Sequence, residues 1–235
     1  LVTGSPAALD FARHAGIWFF LLPIVLTVSH RMIPFFSSRV SDNYVLVRPY
    51  WMLWLMLACI GAHGCLQSLE MPAYLWIVDF PLAGCAFYLS YRWGFLRSFR
   101  VSLLAVLHVS FAWLGIAMTL YAVQSLVYLL SGSMLLGLAP LHALAIGYFA
   151  SMVLAMASRV TLGHSGRPLE LDHITWILFL SFQAAAVLRI LADIVPMIAP
   201  MLYVAAGLAW LGCFVFWAAK YAPIYWRQRV DGKPG

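Results

Sequence analysis

The chain has 235 residues, of which 64% are hydrophobic and 9% charged, and its mean hydropathy is +0.92. A soluble domain carries about 25% charged residues, so this composition excludes a water-soluble globular protein and requires a bilayer as solvent for the outer face. The net charge of +6 is no nucleic-acid signal, because the basic residues fall between apolar stretches, where cytoplasmic loops of membrane proteins collect them.

In chain order, a polar stretch, LVTGSPAALD, opens at Leu1 without a signal-peptide pattern. The chain therefore reads as a fragment, or as one whose beginning is missing. An α-helix needs about 20 apolar residues to cross the hydrocarbon. Seven stretches qualify, at roughly 13–36, 49–69, 72–90, 101–123, 139–159, 173–195 and 197–220. The segment 124–138, interrupted by Ser131-Gly132-Ser133, is too apolar for an ordinary loop. It reads as a surface or re-entrant helix, or as an early start to the fifth span. No alternating strand pattern competes, which excludes a β-barrel. The expectation is an all-α membrane protein, one domain over 1–235 with about seven transmembrane helices. Cys59, Cys65, Cys85 and Cys213 all lie inside apolar segments and read as small buried hydrophobes. No C-x-x-C-H occurs, which argues against covalently attached haem.

Loop charges test the span count. Arg39 and Arg48 follow span one, and Arg92, Arg97 and Arg100 follow span three. Arg159 and Arg167 follow span five, and Lys220, Arg227, Arg229 and Lys233 follow span seven. The opposite face holds only Arg13, while Arg31 sits near the inner end of span one and Arg189 inside span six. The bias of basic residues toward the cytoplasm then puts the N-terminus outside and the C-terminus inside.

Of the seven histidines, most fall in or at the ends of spans, where polar groups are costly and often functional. His14, His63 and His142 lie toward the outer side, within about 10 Å of the surface at 1.5 Å per residue. His30, His108, His164 and His173 lie toward the inner side. Neutral imidazole is a good ligand for haem iron and for copper, and a b-type haem needs one or two axial ligands from facing helices. Pro140 suits the first position of a helix, so His142 sits near its positive end, which disfavours the imidazolium. His142 is the favoured axial ligand on this reading, with His63 or His14 as partner or copper ligand, and His30 a further metal candidate. Hydrogen bonding to neighbouring helices is the competing role for each.

Ala143, Gly147, Ser151 and Ala155 form a small-residue stripe on span five. It suits close helix packing or a flat face for a porphyrin. Arg189 and Asp193 stand four apart and can pair with each other, or Arg189 can hold a haem propionate. Asp79 lies mid-span before Pro81, either protonated and hydrogen-bonded or part of a proton route. The loop SRVTLGHSGRPLELDH is a cytoplasmic turn or a site for an anionic group such as a propionate.

Two stretches, GIWFFLLPIVLTVSHRMIPFF (16–36) and PLHALAIGYFASMVLAMASRVTLGHSGRPL (140–169), resemble signatures of the NnrS family, and the resemblance runs over about residues 10–220. It implies a bacterial inner-membrane protein of roughly twelve spans that binds haem b and copper and acts in nitric oxide metabolism or nitrosative-stress protection. By position it points to His30 with Arg31, His142, Arg159, His164 and Arg167. The first five or so spans of the family would then be missing partners of this chain, beside membrane lipid, haem and nitric oxide. Alternatives are a haem–copper-type membrane oxidoreductase and a non-catalytic transporter or assembly factor. Whether the chain is an enzyme is left open.

A reporter fused after Arg97 is expected to read cytoplasmic and one at Glu70 periplasmic. The opposite result at both sites would overturn this topology.

Overall fold

The computed structural model describes residues 6–40 and 44–232, with side chains from Ala8 on. All regular structure among these residues is helical. Six helices are long and apolar enough to span a membrane: Ala8–Val40, Tyr50–Ser68, Ser102–Ser131, Ala139–His164, His173–Ile194 and Pro196–Trp226. The remaining expected stretch is α4, Trp76–Arg92, of 17 residues. At about 26 Å it stands at the short end of what crosses the hydrocarbon. The chain is thus an all-helical membrane protein of about seven spans. Large apolar side chains face outward along these helices, among them Trp54, Leu130 and Met201, as lipid-facing surfaces require.

Two compact units divide the chain. The first comprises residues 1–93 and 118–136, the second 94–117 and 137–235, so each takes one part of α6, Ser102–Ser131. α6 is the most buried of the candidate spans, at 72% of its apolar window against 17% for the first and the last. It runs past the expected end of span four because Tyr128, Leu129 and Leu130 continue the helix, and it stops at Gly132, whose φ of +68° suits glycine. The apolar segment after residue 123 therefore extends span four up to Ser131. It is not an early start to span five.

The two units repeat one order of elements. In the first, α1 (Pro6–Ala15) runs through a π-helical segment, Gly16–Leu21, into α2 (Leu22–Val40). Then come α3 (Tyr50–Ser68), a 3-10 turn at Pro72–Tyr74, and α4. In the second, α7 (Ala139–His142) runs through a π-helical segment, Ala143–Ala150, into α8 (Ser151–His164). α9 (His173–Ile194), a 3-10 turn at Pro196–Ile198 and α10 (Ala199–Tyr221) follow. The short α5 (Phe95–Ser98) lies between the repeats. A histidine precedes each π segment by at most two residues, His14 in one unit and His142 in the other.

Local chemistry explains both π segments. Pro23 has no N–H, so the Phe19 carbonyl has no regular partner and the turn before it widens. In the second unit the Ser151 hydroxyl donates to the Ile146 carbonyl at 3.2 Å, spanning the widened turn. Other membrane serines donate back one turn to carbonyls, as Ser29 to Val25, Ser90 to Ala86 and Ser110 to Val106, which satisfies their hydroxyls without water. α9 starts at an N-cap, where Asp172 accepts from the Thr175 amide at 2.9 Å. Lys220 of α10 also bonds Asp172. Burial alone would raise the Asp172 carboxyl, but the bonds from Lys220 and Thr175 outweigh it and hold it down at about 2.

Each π segment lies where a glycine and a tryptophan meet. A Cβ on Gly64 would stand 2.7 Å from the Phe19 ring and 2.9 Å from the Trp18 Cβ. A Cβ on Gly147 would stand 2.5 Å from the Trp113 ring. The stripe of Ala143, Gly147, Ser151 and Ala155 is buried, and at Gly147 the Trp113 ring covers it, which is the close-packing use of the pattern.

Gly64→Ala is expected to destabilise the chain by about 1–3 kcal/mol through overpacking. Gly61→Ala, on the same helix with nothing within 4 Å, should be neutral or stabilising. Thermal unfolding of both variants in detergent checks this; equal melting temperatures would contradict the close contact.

Candidate functional site

In the first unit, α3 brings His63 and α4 brings Asp79 to one buried point. His63 Nδ1 lies 2.7 Å from Asp79 Oδ1, and both side chains are fully buried. Trp18, from the π segment, stacks on the imidazole with centroids 3.4 Å apart. Tyr121, from the second half of α6, meets it edge-on at 5.1 Å. His63 Nε2 and Asp79 Oδ2 have no hydrogen-bond partner. An imidazole and a carboxyl that share one proton leave no net charge in this apolar box, the arrangement with the least desolvation penalty. His14, half-buried at the end of α1, lies within electrostatic reach of His63.

In the second unit, His142 ends α7 and meets two groups of α9. Its Nδ1 lies 2.5 Å from Asp193 Oδ2, and Arg189 Nε donates to its Nε2 at 3.2 Å. A nitrogen that accepts from arginine carries no hydrogen, so Nδ1 carries it and donates to the carboxylate. Tyr203 of α10 donates to Asp193 Oδ1 at 3.1 Å, and the Arg189 guanidinium stacks over the Tyr203 ring at 4.1 Å. Arg189 and Asp193 form no direct pair; they bracket the imidazole from two positions one turn apart. Both ring nitrogens of His142 are engaged, so a metal there would have to displace Arg189. Deeper in this unit a second polar chain runs from Trp113 Nε1 to Gln183 Oε1 (2.7 Å) and from Gln183 Nε2 to Ser151 Oγ (2.9 Å).

The model of the family described as NnrS protein matches residues 1–229. The chain belongs to the NnrS family. Comparisons with curated proteins and with solved structures give no match.

The other expected residues of this NnrS-family chain fall as follows. His30, at 1% exposure, has an unpartnered Nε2 and lies on α2 in the first unit. Arg159 is buried within α8, while His164 is exposed at its end. Arg167 has a buried Nη1 without a partner. The turn between His164 and Arg167 packs against the chain's own C-terminal segment. Val230 donates to the Ser165 carbonyl at 3.1 Å, Thr161 and the Tyr225 hydroxyl are 2.7 Å apart, and Asp231 lies against Gly166, whose φ is +70°. Among the described residues, no group of three or more His, Cys, Asp or Glu side chains is placed to hold a metal ion. Sequence reasoning missed Trp18, Tyr121 and Tyr203, because an aromatic residue in a span carries no local sign of its partner.

Asp193→Asn and Arg189→Gln are each expected to destabilise the chain by roughly 1.5–3 kcal/mol, since each removes a charge-assisted hydrogen bond to His142. The double variant should lose less than the sum, with a coupling of about 0.5–3 kcal/mol in thermal or denaturant unfolding. Strict additivity would mean that the two do not act through His142.

Proposed function

We propose that this chain is part of a haem-binding protein of the bacterial inner membrane that acts in nitric oxide metabolism or in protection against nitrosative stress, with His63 as the axial ligand it supplies. One observation carries this reading: a fully buried imidazole is oriented by a carboxylate through Nδ1 and left bare at Nε2. A carboxylate on the far nitrogen is the usual way to fix the tautomer of a metal-binding histidine and raise its basicity. His142, whose Nε2 already accepts from Arg189, serves this role less well.

The donor set suits haem better than a self-contained copper centre. Haem iron asks the protein for one or two axial nitrogens, which His63 meets alone. Copper takes about three protein donors, and no such group stands among the described residues, so copper would draw on further spans. Haem, when bound, would supply an iron that takes up nitric oxide. His63 and Asp79 would hold it in register, and Trp18 and Tyr121 would keep water from the ligand. The loop charges support a periplasmic N-terminus for this chain and a cytoplasmic C-terminus.

In the full-length protein, His63→Ala is expected to remove the b-type absorption band while insertion stays normal. Asp79→Asn should weaken haem retention about 10–100-fold. A full haem complement in His63→Ala would sink this assignment, and its loss in His142→Ala alone would transfer the role to the second unit.

A further inference from the structure

A cavity of about 300 Å³ opens in the first unit beside the middle of α2, where α3 begins, lined by Thr27, His30, Arg31, Arg48, Tyr50 and Leu53. His30 is its buried member. The imidazole is hydrogen-bonded to the backbone of Pro49. Proline has no N–H, so its carbonyl accepts and the ring donates. Nε2 has no partner, so Nδ1 is the donor and Nε2 presents a bare lone pair on the remaining edge. Tyr50 and Trp93, each 5.9 Å away by ring centroids, hold the ring in place. Trp93 in turn donates to the Val47 carbonyl at 2.9 Å and fixes the segment that carries Arg48.

The cavity is therefore lined by two arginines and by an imidazole whose Nε2 is buried without a partner. No carboxylate among the described residues pairs with Arg31 or Arg48. The Thr27 hydroxyl is already committed to the Pro23 carbonyl. A ligand for this set must be anionic, to meet the guanidiniums, and must also carry a hydroxyl that donates to His30 Nε2. An ammonium headgroup could donate to Nε2 but would be repelled by the two cations. The place suits a lipid, because the segment that carries Arg48 enters α3 there, and headgroups lie where spans begin. Beside it run exposed apolar side chains for acyl tails. Ile24, 49% exposed, shares the helix stripe of Thr27 and Arg31, and Trp54, 70% exposed, lies one turn from Tyr50. The volume takes a headgroup and not a whole lipid.

We propose that this cavity binds the headgroup of an anionic phospholipid with a hydroxylated headgroup, of the phosphatidylglycerol type. Arg31 and Arg48 hold the phosphodiester, and His30 Nε2 accepts from the headgroup hydroxyl. Basic pockets between membrane helices are a general means of headgroup recognition.

The test uses the full chain in phosphatidylcholine vesicles doped with spin-labelled phosphatidylglycerol, phosphatidylethanolamine or phosphatidylmethanol. The last has the same diester charge and no headgroup hydroxyl. Phosphatidylglycerol is expected to associate about tenfold more strongly than phosphatidylcholine. R31Q/R48Q should abolish the preference and R31K/R48K should retain most of it. His30→Phe should keep the preference for anionic lipid but erase the difference between phosphatidylglycerol and phosphatidylmethanol. Should R31Q/R48Q fail to insert, the His30→Phe comparison decides alone. Equal association of phosphatidylglycerol and phosphatidylcholine with the wild-type chain overturns the proposal, as does an unchanged preference in R31Q/R48Q. Displacement of phosphatidylglycerol by inorganic phosphate would give the site to a free oxyanion and overturn the lipid assignment.

Discussion

A carboxylate inside a membrane helix has to be hydrogen-bonded where it stands, and in this chain a histidine from another helix does it. Asp79 meets His63 between α4 and α3, and Asp193 meets His142 between α9 and α7. Neither acid is near a partner in the chain, so each bond ties two spans together at a fixed depth. The glycines then set how closely the helices approach, and the π segments set which residues face inward. Removing either carboxylate would take away a polar tie between spans and leave more of their attraction to van der Waals packing, which lipid supplies almost as well.

The two clusters differ in what they leave unsatisfied. Around His142, the arginine and the aspartate use both nitrogens of the imidazole and balance its surroundings in charge, while the tyrosine bonds the aspartate. Around His63 the bonding stops halfway, with a bare nitrogen and a bare oxygen in an apolar, aromatic enclosure. Buried polar atoms without partners are rare because they are expensive. A bound group, such as the haem proposed above, would complete the cluster.

The spans were legible in the sequence because a bilayer imposes a length and an apolarity that no other environment requires, and their ends came out within a few residues for most helices. α4 was legible despite Asp79, since the apolar run on either side outweighs one acid. The continuation of α6 to Ser131 was not, because Leu126, Leu129 and Leu130 read equally well as helix, surface segment or new span. The importance of His63, Asp79, His142 and Arg189 was visible from their cost in a membrane. Their partners were not, because pairing depends on how helices far apart in sequence are rotated. Arg189 and Asp193 show this: spacing favours a pair along one helix, and a third side chain reaching between them changes the bonding. The glycine stripe of span five was visible, while the Trp113 ring that covers it gave no sign.

A π segment is a helix that has absorbed one residue beyond the regular count. Its removal is geometrically simple: deleting any one residue from Gly16–Leu21 would let the turn close as ordinary α-helix. Everything before it would then rotate by about 100° relative to everything after it. His14 would leave the side of His63, while His30 and its cavity would stay in place. Each unit thus contains a mechanical hinge of register, through which a length change of one residue alters one end of a span and leaves the other untouched. In a chain whose two units repeat one order of elements, a shift of one residue is enough for two similar helix arrangements to hold their histidines differently.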